Sequence, residues 1–196
     1  MRAPRILAFA GSTRKESFNR RLLSIAVDMG RDAGLEVDHV ELADYPMPIF
    51  DEDLEAEHGQ DPNATRLRRK LAEADGLLLA CPEYNSSITP LMKNAIDWVS
   101  RSEEGGSGVG VYEGKKALLI GASPGSLGGT RSMAAVHSIL GNIKVEVMDT
   151  QFSLPKAGKA FTDDDELSDE ETRMQLSNTI GAFVAFLRGE TPANPS

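Results

Sequence analysis

Residues 5–19 read Arg5-Ile-Leu-Ala-Phe-Ala-Gly11-Ser-Thr-Arg-Lys-Glu-Ser-Phe-Asn19. The compact apolar run from Arg5 to Ala10 ends on Gly11 and reads as a buried strand. A short polar stretch follows. Beyond it Leu22, Ala26, Met29 and Ala33 recur at helical spacing until Gly34 stops the helix. The order is strand, polar glycine-bearing loop, helix, and the same order returns further along.

Working outward, Glu36 to Leu42 alternates Val37, Val40 and Leu42 with polar residues and is a second strand. Residues 43–63 read as loop, with Pro46, Pro48, Gly59 and Pro62. Residues 64–75 form an amphipathic helix with Leu67 and Leu71 inward, ended by Gly76. Leu77–Cys81 is a third buried strand, and Pro82–Ser87 is a loop at its carboxyl end. Residues 89–102 form a helix, with Pro90 near its start, where a missing N–H matters little. A glycine-rich stretch over 103–110 reads as mobile loop. Lys116–Gly121 is a fourth strand and Ser123–Gly129 another glycine-bearing loop. Met133, Val136, His137 and Leu140 mark the next helix, Lys144–Met148 a fifth strand, and an acidic lead-in over 163–171 a last helix carrying Leu176, Ile180, Val184 and Leu187.

Strands alternating with helices predict an α/β fold with a parallel sheet covered on both faces. Five such units match the flavodoxin-like three-layer sandwich, a five-stranded parallel sheet of order 2-1-3-4-5. The chain's 196 residues suit one domain, expected over residues 1–190 with a short tail at 191–196. Apolar residues at 40% and charged residues at 26% give a globular profile. No apolar run approaches the ~20 residues that cross a bilayer, so no membrane partner is expected. A net charge of −9 repels phosphate backbones and argues against nucleic acid as a partner. Cys81 is the single cysteine, which suits a reducing cytoplasm and leaves no internal disulfide. His39, His58 and His137 lie far apart, with no metal-ligand spacing, and no metal site is expected.

In an open parallel sheet of this order, ligands bind outside the carboxyl ends of the strands, where the order reverses. The loops after strands 1, 3 and 4 meet there, and they are the loops richest in polar residues and glycine. The first holds Ser12, Thr13, Arg14, Ser17 and Asn19 beside a helix start, the donors and dipole that a phosphate monoester needs. Helix capping accounts for one of these residues, not for all. G-x-G-x-x-G is absent, and Gly114-Lys115-Lys116 lacks both the upstream glycine and the Ser/Thr of a nucleotide-triphosphate loop. The second loop, Pro82-Glu83-Tyr84-Asn85, offers a planar aromatic and amides; it reads equally as a turn with Tyr84 as filler. In the third, Ser123 with Gly125, Gly128 and Gly129 permits close backbone approach to a ligand, or a plain strand-to-helix turn. Cys81 has Ser87 where a phosphatase loop requires Arg, and reads as structural.

Three stretches carry a family resemblance: Gly11–Asn19, the long run Pro82-Glu-Tyr-Asn-Ser-Ser-Ile-Thr-Pro-Leu-Met-Lys-Asn-Ala-Ile-Asp-Trp98, and Gly121–Gly129. With the order of elements, the chain resembles the NADPH-dependent FMN reductase family, the group that includes bacterial chromate and quinone reductases and small azoreductases. The resemblance implies FMN as cofactor and NADPH or NADH as co-substrate, with hydride passed to FMN and electrons on to a small-molecule acceptor. By it, Ser12, Arg14, Ser17 and Asn19, with Phe18 beside them, hold the FMN phosphate. Pro82, Glu83, Tyr84 and Asn85 line the ring and ribityl groups, and Ser123, Gly125, Gly128 and Gly129 complete the pocket. No protein acid or base is obligatory, so no catalytic residue is named. The resemblance also implies a homodimer or homotetramer, with Asp97 and Trp98 read as surface charge and packing at a subunit contact. Leu91-Met92 departs from the family pattern in packing only. The glycine-rich 103–114 stretch is a departure expected at the mouth of the site. The competing readings are a flavodoxin-type electron carrier without nicotinamide turnover, and a flavin-free regulator or nucleotide binder on the same fold.

Overall fold

The computed structural model describes residues 2–190; the expected tail at 191–196 lies outside the described residues. In chain order the elements are β1 (Arg5–Ala10), α1 (Phe18–Asp32), β2 (Glu36–His39), α2 (Glu52–His58), α3 (Pro62–Glu73), β3 (Gly76–Ala80), β4 (Glu83–Tyr84), β5 (Ser87–Ile88), α4 (Pro90–Val99), β6 (Lys116–Ala122), α5 (Thr130–Asn142), β7 (Glu146–Val147), β8 (Phe152–Leu154) and α6 (Glu170–Arg188). The main sheet runs β2-β1-β3-β6-β7, with β8 also paired to β6, and every pairing is parallel. This is the expected flavodoxin-like order, 2-1-3-4-5.

Alternation along the strands builds two cores. Ile6, Ala8 and Ala10 of β1, Leu78 of β3 and Leu118 and Ile120 of β6 face α1 and α6. Leu7 and Phe9, Leu77 and Leu79, and Ala117 and Leu119 face α3, α4 and α5. Each fully buried Leu, Ile or Phe contributes about 1.5–3 kcal/mol relative to exposure. The strands are apolar on both faces for that reason, and their period-2 pattern is masked.

Four local expectations are corrected. Residues 43–63 are not all loop: Asp51 accepts hydrogen bonds from the Asp53 and Leu54 amides and starts α2. Gly76 does not end α3; Ala74 does, and Gly76 opens β3, where a Cβ would meet the Lys116 carbonyl at 2.5 Å. The fifth strand is divided: β7 pairs with Lys116 and Ala117, β8 with Ile120 to Ala122, and Asp149 to Gln151 step between them. The 103–114 stretch is not at the mouth of the site. It joins the carboxyl end of α4 to the start of β6, so it lies at the amino edge of the sheet, held by Arg68 Nη1 to the Val99 and Gly108 carbonyls at 2.8 and 2.7 Å.

α2 and the segment before it pad the outer side of α4. Trp98 is buried at 1% exposure, its indole N–H donates to the Pro48 carbonyl at 2.8 Å, and Phe50 meets it edge-on at 5.1 Å. Trp98 is therefore core of this chain, not a subunit contact. Asp97 pairs with Lys93 one turn back at 2.7 Å. Glu55 of α2, almost fully buried, pairs with Arg101 at 2.7 Å.

Candidate functional site

The loops after β1, β3 and β6 leave the carboxyl edge of the sheet side by side, and side chains knot them together. Thr89 caps α4 by accepting the Met92 amide at 3.2 Å, and its hydroxyl donates to the Gly11 carbonyl at 2.8 Å. Gly11 has no room for a side chain: a Cβ there would stand 2.9 Å from both Met92 Cβ and Thr89 Oγ1. Asn19 donates from Nδ2 to the Ala122 carbonyl at 2.8 Å and accepts the Ala122 amide on Oδ1 at 3.0 Å. Ser132 donates to the Pro82 carbonyl at 2.8 Å, and Glu83 Oε2 accepts the Arg131 amide at 3.2 Å. The first loop is thus tied to the second by Thr89 and to the third by Asn19, and the second to α5 by Glu83 and Ser132.

Helix ends set the electrostatics. Asp51, Asp61, Thr89 and Asp169 cap α2, α3, α4 and α6 with their side chains. The starts of α1 and α5 carry no side-chain cap of their own and no acidic residue in the first turn. Glu83 serves α5 from the neighbouring loop. That leaves α1, where Ser17 occupies the cap position, buried, with its hydroxyl making no capping bond. The first-turn amides and positive pole of α1 therefore face the first loop unneutralised, an arrangement suited to an anion.

The predicted residues fall into two groups. Ser12, Arg14 and Ser17 surround the start of α1, with Arg14 exposed and its carbonyl steadied by the Ser17 amide at 3.1 Å and Arg20 Nη1 at 3.3 Å. Tyr84 stands 57% exposed at the end of β4, and Asn85 beside it is also exposed. Gly125 is exposed, and a Cβ there would meet only Ser123 Oγ at 3.8 Å, so the space before it is open.

The second group holds the loops in place. Both ends of the Asn19 amide are committed to Ala122. Phe18 stacks on Phe161 at 6.1 Å with the rings 5° from parallel. Pro82 is buried, and the Glu83 carboxylate turns to α5. Gly128 and Gly129 adopt φ of 58° and 90°, and a Cβ on Gly128 would overlap Ser153 Oγ, so the fold itself demands glycine there. Ser123 is braced by β8 and the turn after it, its amide donating to the Leu154 carbonyl at 3.1 Å and its carbonyl accepting the Ala157 amide at 2.9 Å.

Four residues in these ties were not singled out from the sequence: Thr89, Arg131, Ser132 and Ser153. Thr89 carried a readable signal, a hydroxyl residue directly before a proline at a helix start. The other three act across 26 to 50 residues of chain, which no local pattern reports. Cys81 is fully buried, and burial pushes its thiol pKa up, so it is no nucleophile at neutral pH. Among the described residues no helix is long and apolar enough to cross a membrane.

A family model described as NADPH-dependent FMN reductase matches residues 4–159. The chain is 36% identical over 190 residues to an NAD(P)H:quinone oxidoreductase of Solanum tuberosum, covering 93% of this chain and 92% of that one. It is 32% identical over 186 residues to an NAD(P)H-dependent FMN reductase of Pseudomonas aeruginosa, covering 94% and 95%. The solved structure of FerB, a flavoenzyme NAD(P)H:(acceptor) oxidoreductase from Paracoccus denitrificans, superposes with a TM-score of 0.81 at 26% identity, covering 96% of this chain and 99% of that one.

Proposed function

Since this chain belongs to the NADPH-dependent FMN reductase family, we propose that the three knotted loops form its FMN site, with the phosphate at the uncapped start of α1. The protein is an NAD(P)H-driven FMN oxidoreductase acting on quinone or a similar small acceptor. The electron-carrier and flavin-free alternatives fall with that assignment.

The single observation that carries the siting is the pole of α1. It is the one helix start among the described six that no side chain caps, and it sits within a loop of hydroxyls and a guanidinium. Those donors fit a phosphate dianion, and the open face of Gly125 fits a ligand passing from it along the third loop. Bound there, FMN supplies the two-electron chemistry, from nicotinamide to acceptor.

The chain's own groups bind and orient. Ser12, Arg14, Ser17 and the first-turn amides of α1 hold the phosphate; Asn19 and Phe18 keep that turn in place. Tyr84 and Asn85 form the wall for the ring, with Pro82 and Glu83 fixing their backbone. Ser123 and Gly125 close the pocket on the third-loop side, with Gly128 and Gly129 shaping the turn. The uncapped first-turn amides of α1 favour negative charge on the bound group, as donors preorganised toward charge do elsewhere. No side chain is assigned as acid or base.

We further propose one domain over residues 1–190, working in the cytoplasm without nucleic-acid or membrane partners, as a homodimer or homotetramer. The acidic charge and the lone buried cysteine support the setting.

The test is the Arg14→Ala/Ser17→Ala double variant. Each charge-assisted bond is worth about 1.5–3 kcal/mol, so FMN affinity should fall by about 100-fold or more, read by flavin fluorescence titration. Undiminished affinity in a folded double variant refutes the siting.

A further inference from the structure

The hairpin β4–β5 rests on α5 beside the site, with its tip turned to solvent. Each strand has two residues, in register Glu83 opposite Ile88 and Tyr84 opposite Ser87. Residues 84 to 87 are all exposed, so side-chain burial contributes little to holding the tip. The two turn residues, Asn85 and Ser86, have φ of 49° and 67°. Two positive φ values in a two-residue loop are what a tight hairpin needs, and Asn-Gly is the pair that meets the need at least strain. Asn tolerates the left-handed region; Ser does so poorly. Ser86 therefore stands where glycine would suit the backbone better.

Its hydroxyl supplies the reason. Arg131 Nη1 donates to Ser86 Oγ at 3.0 Å, and the same nitrogen lies 3.9 Å from Glu83 Oε1. The Arg131 amide meets the other oxygen of Glu83. One residue at the start of α5 thus grips the hairpin at its root, through Glu83, and at its tip, through Ser86.

We propose that Arg131, Glu83 and Ser86 form a latch that sets the position of the hairpin over the site, with Arg131 as a positioning residue for FMN. This rests on the siting above and deepens it. The Arg131 side chain is 56% exposed, and bonds at such exposure add little to global stability. The latch acts on position, so its loss should be felt in binding, not in folding.

The experiment compares Ser86→Gly, Arg131→Ala and the two together, by FMN titration and thermal melting of the full chain. Ser86→Gly removes the hydroxyl and the backbone strain at once, so its Tm should equal or exceed that of the parent. FMN should nevertheless bind about fivefold more weakly, Arg131→Ala should show a similar loss, and the double variant no more than either, as coupled partners do. Acceptor KM should rise with kcat nearly held. FMN affinity within twofold of the parent in Ser86→Gly overturns the latch, as do losses that multiply in the double variant. The Arg14→Ala/Ser17→Ala variant separates the two ideas. If it loses FMN while the latch variants do not, only the latch fails; if it too keeps FMN, the siting fails and the latch with it.

Discussion

Asn19 shows how far a residue's type and its role can diverge. Its composition and place in the first loop mark it as a phosphate ligand, yet both ends of its amide are committed to the Ala122 backbone, in the interior. Asn19→Ala would leave a buried amide and a buried carbonyl without partners and should destabilise the flavin-free protein by about 2–4 kcal/mol in urea melts. A residue that touched only the ligand would leave the flavin-free melt where it was. Ser12, Arg14 and Ser17 can be proposed from the sequence because an anion site is defined by the kinds of donor it gathers. The direction of the Asn19 amide was not, since its partner lies 103 residues away. Glycines divide in the same way: the need for glycine at 128 comes from Ser153, across a strand that residues 152–154 alone do not announce.

Among the elements, α4 is the one that fastens the second loop to the first. Thr89 performs two tasks with one hydroxyl, capping its helix and holding the Gly11 carbonyl. Thr89→Val keeps the shape and removes both. The loss should be about 2 kcal/mol, seen as a fall in Tm of about 4–8 °C, with Thr89→Ser close to the parent. The long apolar strands and amphipathic helices could be read directly, because burial and period are properties of the segment itself. α2 could not be read through Pro46, Pro48, Gly59 and Pro62, although Asp51 ahead of Glu52 and Asp53 is a cap with an acidic first turn. Lys144–Met148 is apolar enough to read as one fifth strand. Its division reflects what β8 must do, which is to run beside the end of β6 and brace the third loop.

The molecule as a whole responds to acid through groups remote from the site. Burial lowers the pKa of His39, on β2, below its ordinary 6.5, against the pull of Glu41. The unfolded chain therefore takes up this proton first, and stability falls as pH drops through 6.5 toward the folded value. His39→Gln should flatten the stability profile of denaturant melts in that window. Asp75 acts lower down. Burial opposes its charge, but the Arg5 amide and the Arg2 guanidinium outweigh that and hold its pKa below 3.8; its contribution is present above 3.8 and disappears as pH falls through the folded value. The fold class was legible at this scale because alternating strands and helices admit few arrangements. The two edges of the sheet, however, have unlike duties. The knotted loops of the proposed site gather where the strands finish, while Gly105 and Gly106 curve through solvent where they begin, with no atom within 4 Å of where a side chain would sprout. The turn at 105–106 is thus a natural attachment point: a fluorophore, an affinity handle or a fused partner grafted there would ride on the far pole of the protein, out of the way of electron traffic.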